Sequence, residues 1–457
     1  MNTPIFDFVN KYVQDAPLRL HMPGHKGRGP LKIEQYDITE IDGADVLYHD
    51  SGIISESQNN ASSLFGSAKT LYSTEGATLC IRAMLALMRY YANEQGEEPI
   101  IAACRNAHKS FVTACGLLNI DPIWISSSSG TLLSCKLDAN EIDSFFAQQN
   151  KKPTALYLTS PDYLGNMMDI AAIAKACHKH GVLLIVDNAH GAYLHFLSDP
   201  SHPLDLGADL VCDSAHKTLP VLTGGAYLHI SKKAPTILCD YADSALSIFA
   251  STSPSYLILQ SLDLCNSYLN NDYKEKLYRF SARIVDFKKE LRALGFQLIG
   301  DEPLKITVMT KPYGYYGTEI ANLLKQNCLS VEFSDPDYVV LMLTPEFNEK
   351  MLKKILSAFS SIPQKAPILT FPPRISITEK VFSPREALFS ASELLPTEDC
   401  EGRILAQPGV TCPPAIPVAI CGEILTQEHL TAFRYYRIEK IAVVITTGRA
   451  GGLHKPP

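Results

Sequence analysis

The sequence lacks the features that would direct it to a membrane, to secretion or to a nucleic acid. The opening segment, residues 1–11, has no basic stretch followed by an apolar core, and no later run is apolar for long enough to span a bilayer. The net charge is -7, and the lysines and arginines do not cluster into a long basic run. We therefore predict a cytoplasmic protein that binds neither membranes nor nucleic acids.

The sequence also lacks cysteine pairs with the spacing that is typical of a metal site or a disulfide framework. The 12 cysteines include no Cys-x-x-Cys pair, which favours small buried thiols in a reducing compartment. His21 and His25 have a spacing that suggests a metal site. However, Pro23 and Gly24 lie between them and prevent the two imidazoles from sharing one helical face. We predict no metal site.

The composition that remains is typical of a folded globular protein. The 457 residues are 46% hydrophobic and 19% charged, which argues against a disordered chain. This length predicts roughly two to four domains. The sequence shows no internal repeat and no low-complexity tract.

Helical and strand patterns alternate from about residue 70 to residue 230, which is typical of an α/β domain. The strand-like runs, such as 99–103, 154–159 and 182–186, are almost entirely apolar. Strands of this kind are buried on both faces, so we predict a mainly parallel sheet with helices on both faces. Ligands are then expected at the carboxyl ends of the strands.

The pattern changes beyond residue 272, where a long charged helix precedes shorter strands and helices. This change predicts a smaller α+β domain toward the C-terminus, followed by a segment that is richer in proline. We divide the chain into an N-terminal arm (1–40), a large domain that holds the site (41–271), a small α+β domain (272–365) and a C-terminal domain (366–457).

Lys217 and Asp187 each follow an apolar run, so an amine and an acid are predicted at the same end of one sheet. A lysine can form a Schiff base with the aldehyde of pyridoxal 5'-phosphate (PLP). A carboxylate keeps the pyridine nitrogen of that cofactor protonated, so that the ring can accept electrons. The pair therefore indicates PLP chemistry.

The turn Gly76-Ala77-Thr78 opens a predicted helix, whose first backbone N–H groups favour a phosphate. Alone, this signal is weak, because Ser73 or Thr74 could simply cap the helix. Its place in the chain, upstream of the acid and the lysine, agrees with a cofactor-binding turn.

Four further residues have two interpretations each. His108 follows a strand and could lie flat on an aromatic ring, or it could cap a helix. His190, three residues after the acid, could bond a substrate or the backbone. Ser214 and His216 flank Lys217 closely enough to bond a phosphate, or they could be turn residues.

Several motifs occur in one order along nearly the whole chain. They are Leu20-His-Met-Pro-Gly-His-Lys-Gly27, Asp37-Ile-Thr-Glu-Ile41, 55–66, Arg105-Asn-Ala-His-Lys-Ser110, Ser160-Pro-Asp-Tyr-Leu-Gly165, Asp187-Asn-Ala-His-Gly191, Ser214-Ala-His-Lys217, Ser251-Thr-Ser-Pro-Ser-Tyr256, Gly402-Arg403 and Cys412-Pro-Pro-Ala-Ile-Pro417. In this order they resemble the Orn/Lys/Arg decarboxylases, bacterial PLP-dependent enzymes with the aspartate aminotransferase fold. The larger relatives carry an N-terminal receiver-like domain, and we expect a short form without it.

The resemblance implies a role for each residue of the pair and for its neighbours. Lys217 would form the Schiff base, Asp187 would pair with the pyridine nitrogen, and His108 would stack on the ring. Lys217 or a nearby histidine, such as His190, would protonate the product carbon.

The resemblance also implies how the phosphate is held and that the enzyme is a homodimer with shared active sites. The residues that it assigns to the phosphate are Gly76, Ala77, Thr78, Ser214 and His216, joined by Thr252 and Ser253 that reach the neighbouring subunit.

The implied reaction is loss of CO2 from arginine, lysine or ornithine to give agmatine, cadaverine or putrescine, a step in polyamine biosynthesis. The distal cation of such a substrate needs a buried carboxylate, for which Asp45 and Glu423 are candidates. Three features depart from the commoner family pattern. Glu75 precedes the phosphate turn where a neutral residue is usual, Asn188 follows the acid, and the C-terminal segment reads Cys412-Pro-Pro-Ala415.

Two alternatives stay open at this point. An aminotransferase or lyase of the same fold would need an arginine for the substrate carboxylate, and no C-terminal arginine lies in a motif for that role. A catalytically silent regulator would not need Lys217, Asp187 and His108 together, and all three are present.

Overall fold

The structure is a computed structural model that describes most of the chain. The described residues are 1–49, 51–125, 129–131, 134–373, 375–376, 378–412 and 416–445. They fall into two compact units: unit 1 comprises 1–99, 154–160 and 169–279, and unit 2 comprises 100–153, 161–168 and the described residues from 280 onward. The four-part division made from the sequence stays a prediction.

Within the described residues, the α-helices are α1 Pro4–Asp15, α2 Gly52–Phe65, α3 Gly76–Glu94, α4 Lys109–Leu118, α5 Ala139–Gln148, α6 Ile170–Lys179, α7 Ala215–Thr218, α8 Ile237–Asp240, α9 Ala242–Ser247, α10 Tyr256–Asn270, α11 Tyr273–Ala293, α12 Gly317–Gln326, α13 Glu349–Ser360, α14 Pro384–Phe389 and α15 Gln427–Tyr435. Short 3-10 helices span Glu34–Tyr36, Ala192–Phe196, Lys311–Tyr313 and Thr397–Asp399.

The strands of the described residues are β1 Lys69–Ser73, β2 Ile101–Cys104, β3 Ile123–Ile125, β4 Ser129–Thr131, β5 Ser134–Lys136, β6 Ala155–Thr159, β7 Leu183–Asp187, β8 Leu210–Asp213, β9 Ala226–Ile230, β10 Gln297–Ile299, β11 Lys305–Met309, β12 Phe333–Ser334, β13 Tyr338–Met342, β14 Ser392–Pro396, β15 Gly409–Cys412, β16 Ile416–Ile420 and β17 Lys440–Val444.

Unit 1 contains five sheet strands in the order β1-β9-β8-β7-β6. β6, β7 and β8 run parallel, with Asp187 of β7 opposite Cys212 of β8. All five residues of β7 are buried, as expected of a strand covered on both faces. The ends of β7 and β8 therefore carry Asp187 and the lysine loop at the same edge, as predicted.

β9 departs from the parallel pattern, because it pairs antiparallel with both β8 and β1. The connection from β8 to β9 contains only the four-residue helix α7 and a loop. A short return of this kind suits an antiparallel strand, whereas a parallel strand needs a longer crossover. The return keeps the lysine loop close to the start of β9.

Unit 2 contains the parallel pair β2-β3 and a four-stranded antiparallel sheet in the order β10-β11-β13-β12. Helix α13 shows why its segment folds as it does. Leu352, Ile355 and Phe359 recur on one face and are buried, while the Asn348 side chain caps the first turn by accepting from Met351 N. The mainly parallel α/β fold with a smaller α+β part is confirmed.

The cysteines agree with the sequence-based interpretation as far as they are described. The cysteines whose side chains are described form no disulfides with one another, and they are buried apart from the half-buried Cys239 and the exposed Cys328. None of the helices in the described part of the chain has the length and apolarity needed to cross a membrane.

Candidate active site

Lys217 and His190 are brought together in unit 1. Lys217 lies in α7, directly after β8, and its backbone N–H donates to Ser214 O (2.9 Å). Its Nζ lies 3.3 Å from Nε2 of the buried His190, which follows β7. At this distance the imidazole can take a proton from the lysine amine or return it.

Asp187, the last residue of β7, is 2% exposed. Its Oδ2 accepts from the Tyr157 hydroxyl (3.1 Å), and its Oδ1 accepts from Ala189 N (3.1 Å) and from the Cys212 thiol (3.6 Å). Burial raises the pKa of Tyr157 and of Cys212 well above their usual values, and the negative charge of Asp187 contributes to both increases. Both groups therefore stay protonated and neutral.

This environment tests whether Asp187 suits a cationic ring. Among the described residues, no lysine, arginine or histidine bonds to its carboxylate, so the three partners of the buried charge are neutral donors. A buried carboxylate of this kind favours a cationic group beside it. A protonated pyridine nitrogen meets that requirement.

The predicted phosphate turn is built between β1 and α3. Gly76 has φ of +71°, and its N–H donates to Gly224 O (2.7 Å). Ser73 Oγ donates to Gly76 O (2.9 Å) and accepts from Glu75 N (3.1 Å), which fixes the turn without capping the helix. Because the first N–H groups of a helix have no acceptor within it, this end of α3 suits an anion.

The lysine loop and the phosphate turn approach closely through two glycines. A Cβ on Gly224, where φ is +100°, would lie 2.8 Å from Thr74 O, so only glycine fits there without a shift. His216 donates from Nδ1 to Gly225 O (3.0 Å), which orients its ring. The structure thus brings His216, Lys217 and the turn at Gly76 together.

Glu75 has a partner that the sequence did not reveal. Its Oε1 accepts from Ser251 N (2.7 Å), and Ser253 N in turn donates to Ser251 Oγ (3.1 Å). The segment with Thr252 and Ser253 is exposed and lies beside the phosphate turn of its own chain. The charge of Glu75 therefore holds this segment in place.

His108 lies in unit 2, after β2, and acts as the N-cap of α4. Its Nδ1 accepts from Ser110 N (3.2 Å) and bonds Ser110 Oγ (2.8 Å). The structure therefore confirms the helix-capping interpretation of His108. Stacking of His108 on a cofactor ring stays a prediction.

The two acids considered for the substrate cation have partners of their own. Glu423 is 2% exposed and accepts from both Nη atoms of Arg105, one of them at 3.0 Å, and from Ile420 N at 2.9 Å. Asp45 accepts from Ile54 N (3.0 Å) in the first turn of α2. The Glu423 carboxylate therefore forms an ion pair with Arg105, and the Asp45 carboxylate stabilises the N-terminal end of α2.

Sequence reasoning missed Tyr157 and the groups around Asp213. Tyr157 is a hydroxyl within an otherwise apolar strand, and His229 is an imidazole within the apolar strand β9. A polar side chain at such a position needs a buried partner, and this was the available signal. Thr218 Oγ1, next to the lysine, is buried without a partner among the described residues, as expected where a polar ligand binds.

The comparisons with known proteins agree with this geometry. The family model for the Orn/Lys/Arg decarboxylase major domain matches residues 3–312. The chain therefore belongs to the Orn/Lys/Arg decarboxylase family. Residues 413–415 of the C-terminal motif lie outside the described residues.

Two relatives match along almost their entire length. The uncharacterized protein YaaO of Bacillus subtilis (strain 168) is 29% identical over 459 residues, which cover 94% of this chain and 93% of that protein. An arginine decarboxylase of Halalkalibacterium halodurans is 27% identical over 470 residues, which also cover 94% of this chain and 93% of the relative.

Two solved structures share the fold. The lysine decarboxylase LdcF of Francisella novicida superposes with a TM-score of 0.78 at 16% identity, covering 97% of this chain and 81% of that one. A structure of SPT with its PLP internal aldimine gives a TM-score of 0.54 at 16% identity, covering 67% of this chain and 75% of that one.

Proposed function

We propose that this chain is a PLP-dependent decarboxylase of a basic amino acid. The observation that carries the proposal is the approach of Lys217 Nζ to His190 Nε2 (3.3 Å), at the same sheet edge as the buried Asp187. Family membership supports the reaction class, and the neutral partners of Asp187 support a cationic ring beside it.

PLP, when bound, supplies a conjugated ring that takes up the electron pair left by the departing CO2. Asp187 would keep the ring nitrogen protonated, because loss of that proton would leave the buried carboxylate without a cation. His190 would hold or move a proton at Lys217 Nζ, which must be neutral to react with the aldehyde. His108 would cover one face of the ring.

The phosphate would be held at the start of α3 and at the lysine loop. The proposed contacts are Gly76, Ala77, Thr78, Ser214 and His216. The approach of Gly224 to Thr74 O supports this arrangement, since it keeps the two segments adjacent in the folded chain. The N-terminal end of α3 adds a favourable dipole for the anion.

Thr252 and Ser253 would complete the site of a partner subunit, which makes the enzyme a homodimer with shared active sites. The exposure of this segment and its attachment through Glu75 support a role at a subunit contact. We place the enzyme in the cytoplasm.

The substrate would be arginine, lysine or ornithine, and the product agmatine, cadaverine or putrescine for polyamine biosynthesis. The name of the Halalkalibacterium relative makes arginine the first amino acid to test. Since Glu423 and Asp45 already have partners, we assign neither of them to the distal cation.

The test is to incubate the purified protein with PLP and each basic amino acid, and to measure CO2 and amine. Amine and CO2 in equal amounts from one basic amino acid support the proposal. A keto acid product with PLP converted to the amine form would instead indicate an aminotransferase. PLP binding without turnover of any of the three would indicate a silent regulator.

Shared sites have a separate test. A Lys217→Ala subunit and a subunit with both Thr252→Ala and Ser253→Ala are each expected to be inactive. Their mixture should regain some activity, because one hybrid site carries neither lesion. Subunit exchange without recovered activity would contradict shared sites and leave the decarboxylase proposal standing.

A further inference from the structure

A buried hydrogen-bond network surrounds Asp213, the last residue of β8. Its Oδ2 accepts from His202 Nε2 (3.0 Å) and His229 Nε2 (3.1 Å), and its Oδ1 accepts from Asn188 Nδ2 (2.6 Å). All four side chains are 0% exposed. The function proposed above assigns no role to this network.

Two imidazoles and a carboxylate are also the donor set of a metal site, and here their ligand atoms lie within 4.8 Å of one another. The proton positions argue against a metal. Leu204 N–H donates to His202 Nδ1 (3.2 Å), so Nδ1 carries no proton and the proton lies on Nε2. A protonated Nε2 cannot coordinate a metal, but it can donate to Asp213.

The same bonds define the charges of the network. Burial alone would raise the pKa of Asp213, but its contacts with His202 and His229 hold that pKa well below the usual value. Burial lowers the pKa of His229, and Thr70 Oγ1 lies 2.8 Å from its Nδ1, on the side opposite Asp213. Asp213 is therefore a buried anion whose partners are neutral N–H donors.

Asp213 connects the two strand ends of the proposed cofactor site. Asn188, which bonds its carboxylate, directly follows Asp187, and Asn188 N also donates to Cys212 O (2.9 Å). On the other side, Asp213 directly precedes the Ser214-Ala-His-Lys217 segment. A single carboxylate therefore ties the acid-bearing end of β7 to the lysine-bearing end of β8.

The charges of Asp187 and Asp213 also reach the same neighbours. After burial, both carboxylates contribute to the raised pKa of the Cys80 thiol in α3 and of the Cys212 thiol in β8. The two anions thus act on one region of unit 1, at the start of α3 and the end of β8.

We propose that Asp213 is a positioning residue of the PLP site, which fixes Asp187 and Lys217 relative to each other and adds a second buried negative charge that favours the cationic cofactor ring. This inference rests on the proposed function, because it needs PLP to bind in unit 1. His202, His229 and Asn188 serve it by holding the Asp213 carboxylate in one orientation.

The chain offers a matched control at the opposite end of β8. Asp209 precedes Leu210, is 3% exposed, and accepts from His178 Nε2 (2.9 Å) and Leu184 N (2.8 Å). Replacing either aspartate by asparagine removes a buried, histidine-bonded carboxylate from one end of β8. Only the change at Asp213 acts at the cofactor end.

The experiment measures PLP affinity by absorbance titration of apo-protein for the wild type, Asp213→Asn and Asp209→Asn, with thermal unfolding of each apo-protein alongside. We expect both variants to unfold at a lower temperature than the wild type. Asp213→Asn should also bind PLP about tenfold more weakly than Asp209→Asn, the effect of losing one charge-assisted interaction.

Equal PLP affinity in the two variants would overturn the positioning role and leave the PLP proposal intact. A wild type that binds no PLP would overturn both. Should Asp213→Asn fail to fold, Asn188→Ala decides the question, because it removes the tie and keeps the carboxylate. We expect this variant to bind PLP about fivefold more weakly than the wild type, and unchanged affinity would overturn the proposal.

Discussion

Two buried carboxylates of unit 1, Asp187 and Asp213, have partners of a different kind from those of Glu423 and Asp337 in unit 2. In unit 1, Asp187 and Asp213 are held by neutral N–H, O–H and S–H donors. In unit 2, Glu423 bonds to Arg105, and Asp337 Oδ1 lies 2.8 Å from Lys311 Nζ. Glu423 and Asp337 already have their cations, whereas the surroundings of Asp187 and Asp213 favour a cation that binds later. The contrast distinguishes the ion pairs of unit 2 from the proposed binding site of unit 1.

The largest effect is expected when the amine near the unit 1 carboxylates is removed. Lys217→Ala should lower decarboxylation by at least about 10³-fold, because the residue proposed to bond the cofactor is lost. The exposed Lys232→Ala is the control and should retain activity. Borohydride reduction followed by peptide mapping of the wild type should label Lys217, and a label on another lysine would contradict the assignment.

The next effect concerns the buried acid itself. Asp187→Ala should retain the fold but lose turnover by about 10²–10³-fold, the usual cost of removing one electrostatic partner. Asp205→Ala, which removes a more exposed acid bonded to His195, should have little effect on turnover. Near-normal turnover of Asp187→Ala with PLP bound would show that another acid serves the ring.

The third effect is a loss of stability when one charge of the Arg105–Glu423 ion pair in unit 2 is removed. Glu423→Gln leaves Arg105 without its counter-charge, and we expect the free energy of unfolding to fall by about 3 kcal/mol. The double change Arg105→Met with Glu423→Leu removes both charges and should be less damaging than Glu423→Gln alone. Urea unfolding of the three proteins measures this, and a double variant that is less stable than the single one would contradict the ion-pair interpretation.

The smallest effect is a pH dependence of stability at another buried acid of unit 1. Asp263 accepts from Ile5 N (3.0 Å) and Phe6 N (2.9 Å) at the start of α1. Burial raises its pKa from 3.8 to about 6 in the folded protein. Between these values the folded protein holds the proton and the unfolded chain releases it. The stability that this proton provides is therefore present below the lower pKa and is lost as the pH rises through the higher one.

The asparagine of Asp263→Asn does not titrate. The free energy of unfolding of this variant, relative to that of the wild type, should therefore increase by about 2 kcal/mol as the pH rises from about 4 to 7. Urea unfolding at several pH values measures the difference, with the exposed Asp42→Asn as the control. A difference that does not change with pH would show that Asp263 has the same pKa in the folded and unfolded protein.

Local patterns predicted the scaffold well where the physics is local. Apolar runs identified β2, β6 and β7, because a strand buried on both faces requires apolar residues throughout. The sequence did not predict that β9 would run antiparallel, because strand direction depends on the path of the connection and not on the residues of the strand.

The site was predicted in part for the same reason. Lys217 and Asp187 were predicted at one sheet edge because each lies at or shortly after the end of an apolar strand, and parallel neighbouring strands bring their ends together. The capping role of His108 was one of two interpretations left open, and the structure shows that cap. The partner of Glu75 was missed, since Ser251 is 176 residues away along the chain.

The sequence alone determined the order of apolar strands, the residues at their ends and the motifs of the family, because these depend on neighbours a few residues apart. Only the tertiary structure decided which buried charges have cations. Arg105 meets Glu423 across 318 residues, while Asp213 is bonded by His202, His229 and Asn188. Such partners come from packing between distant segments, and the energy of a buried charge depends on the groups that surround it in space.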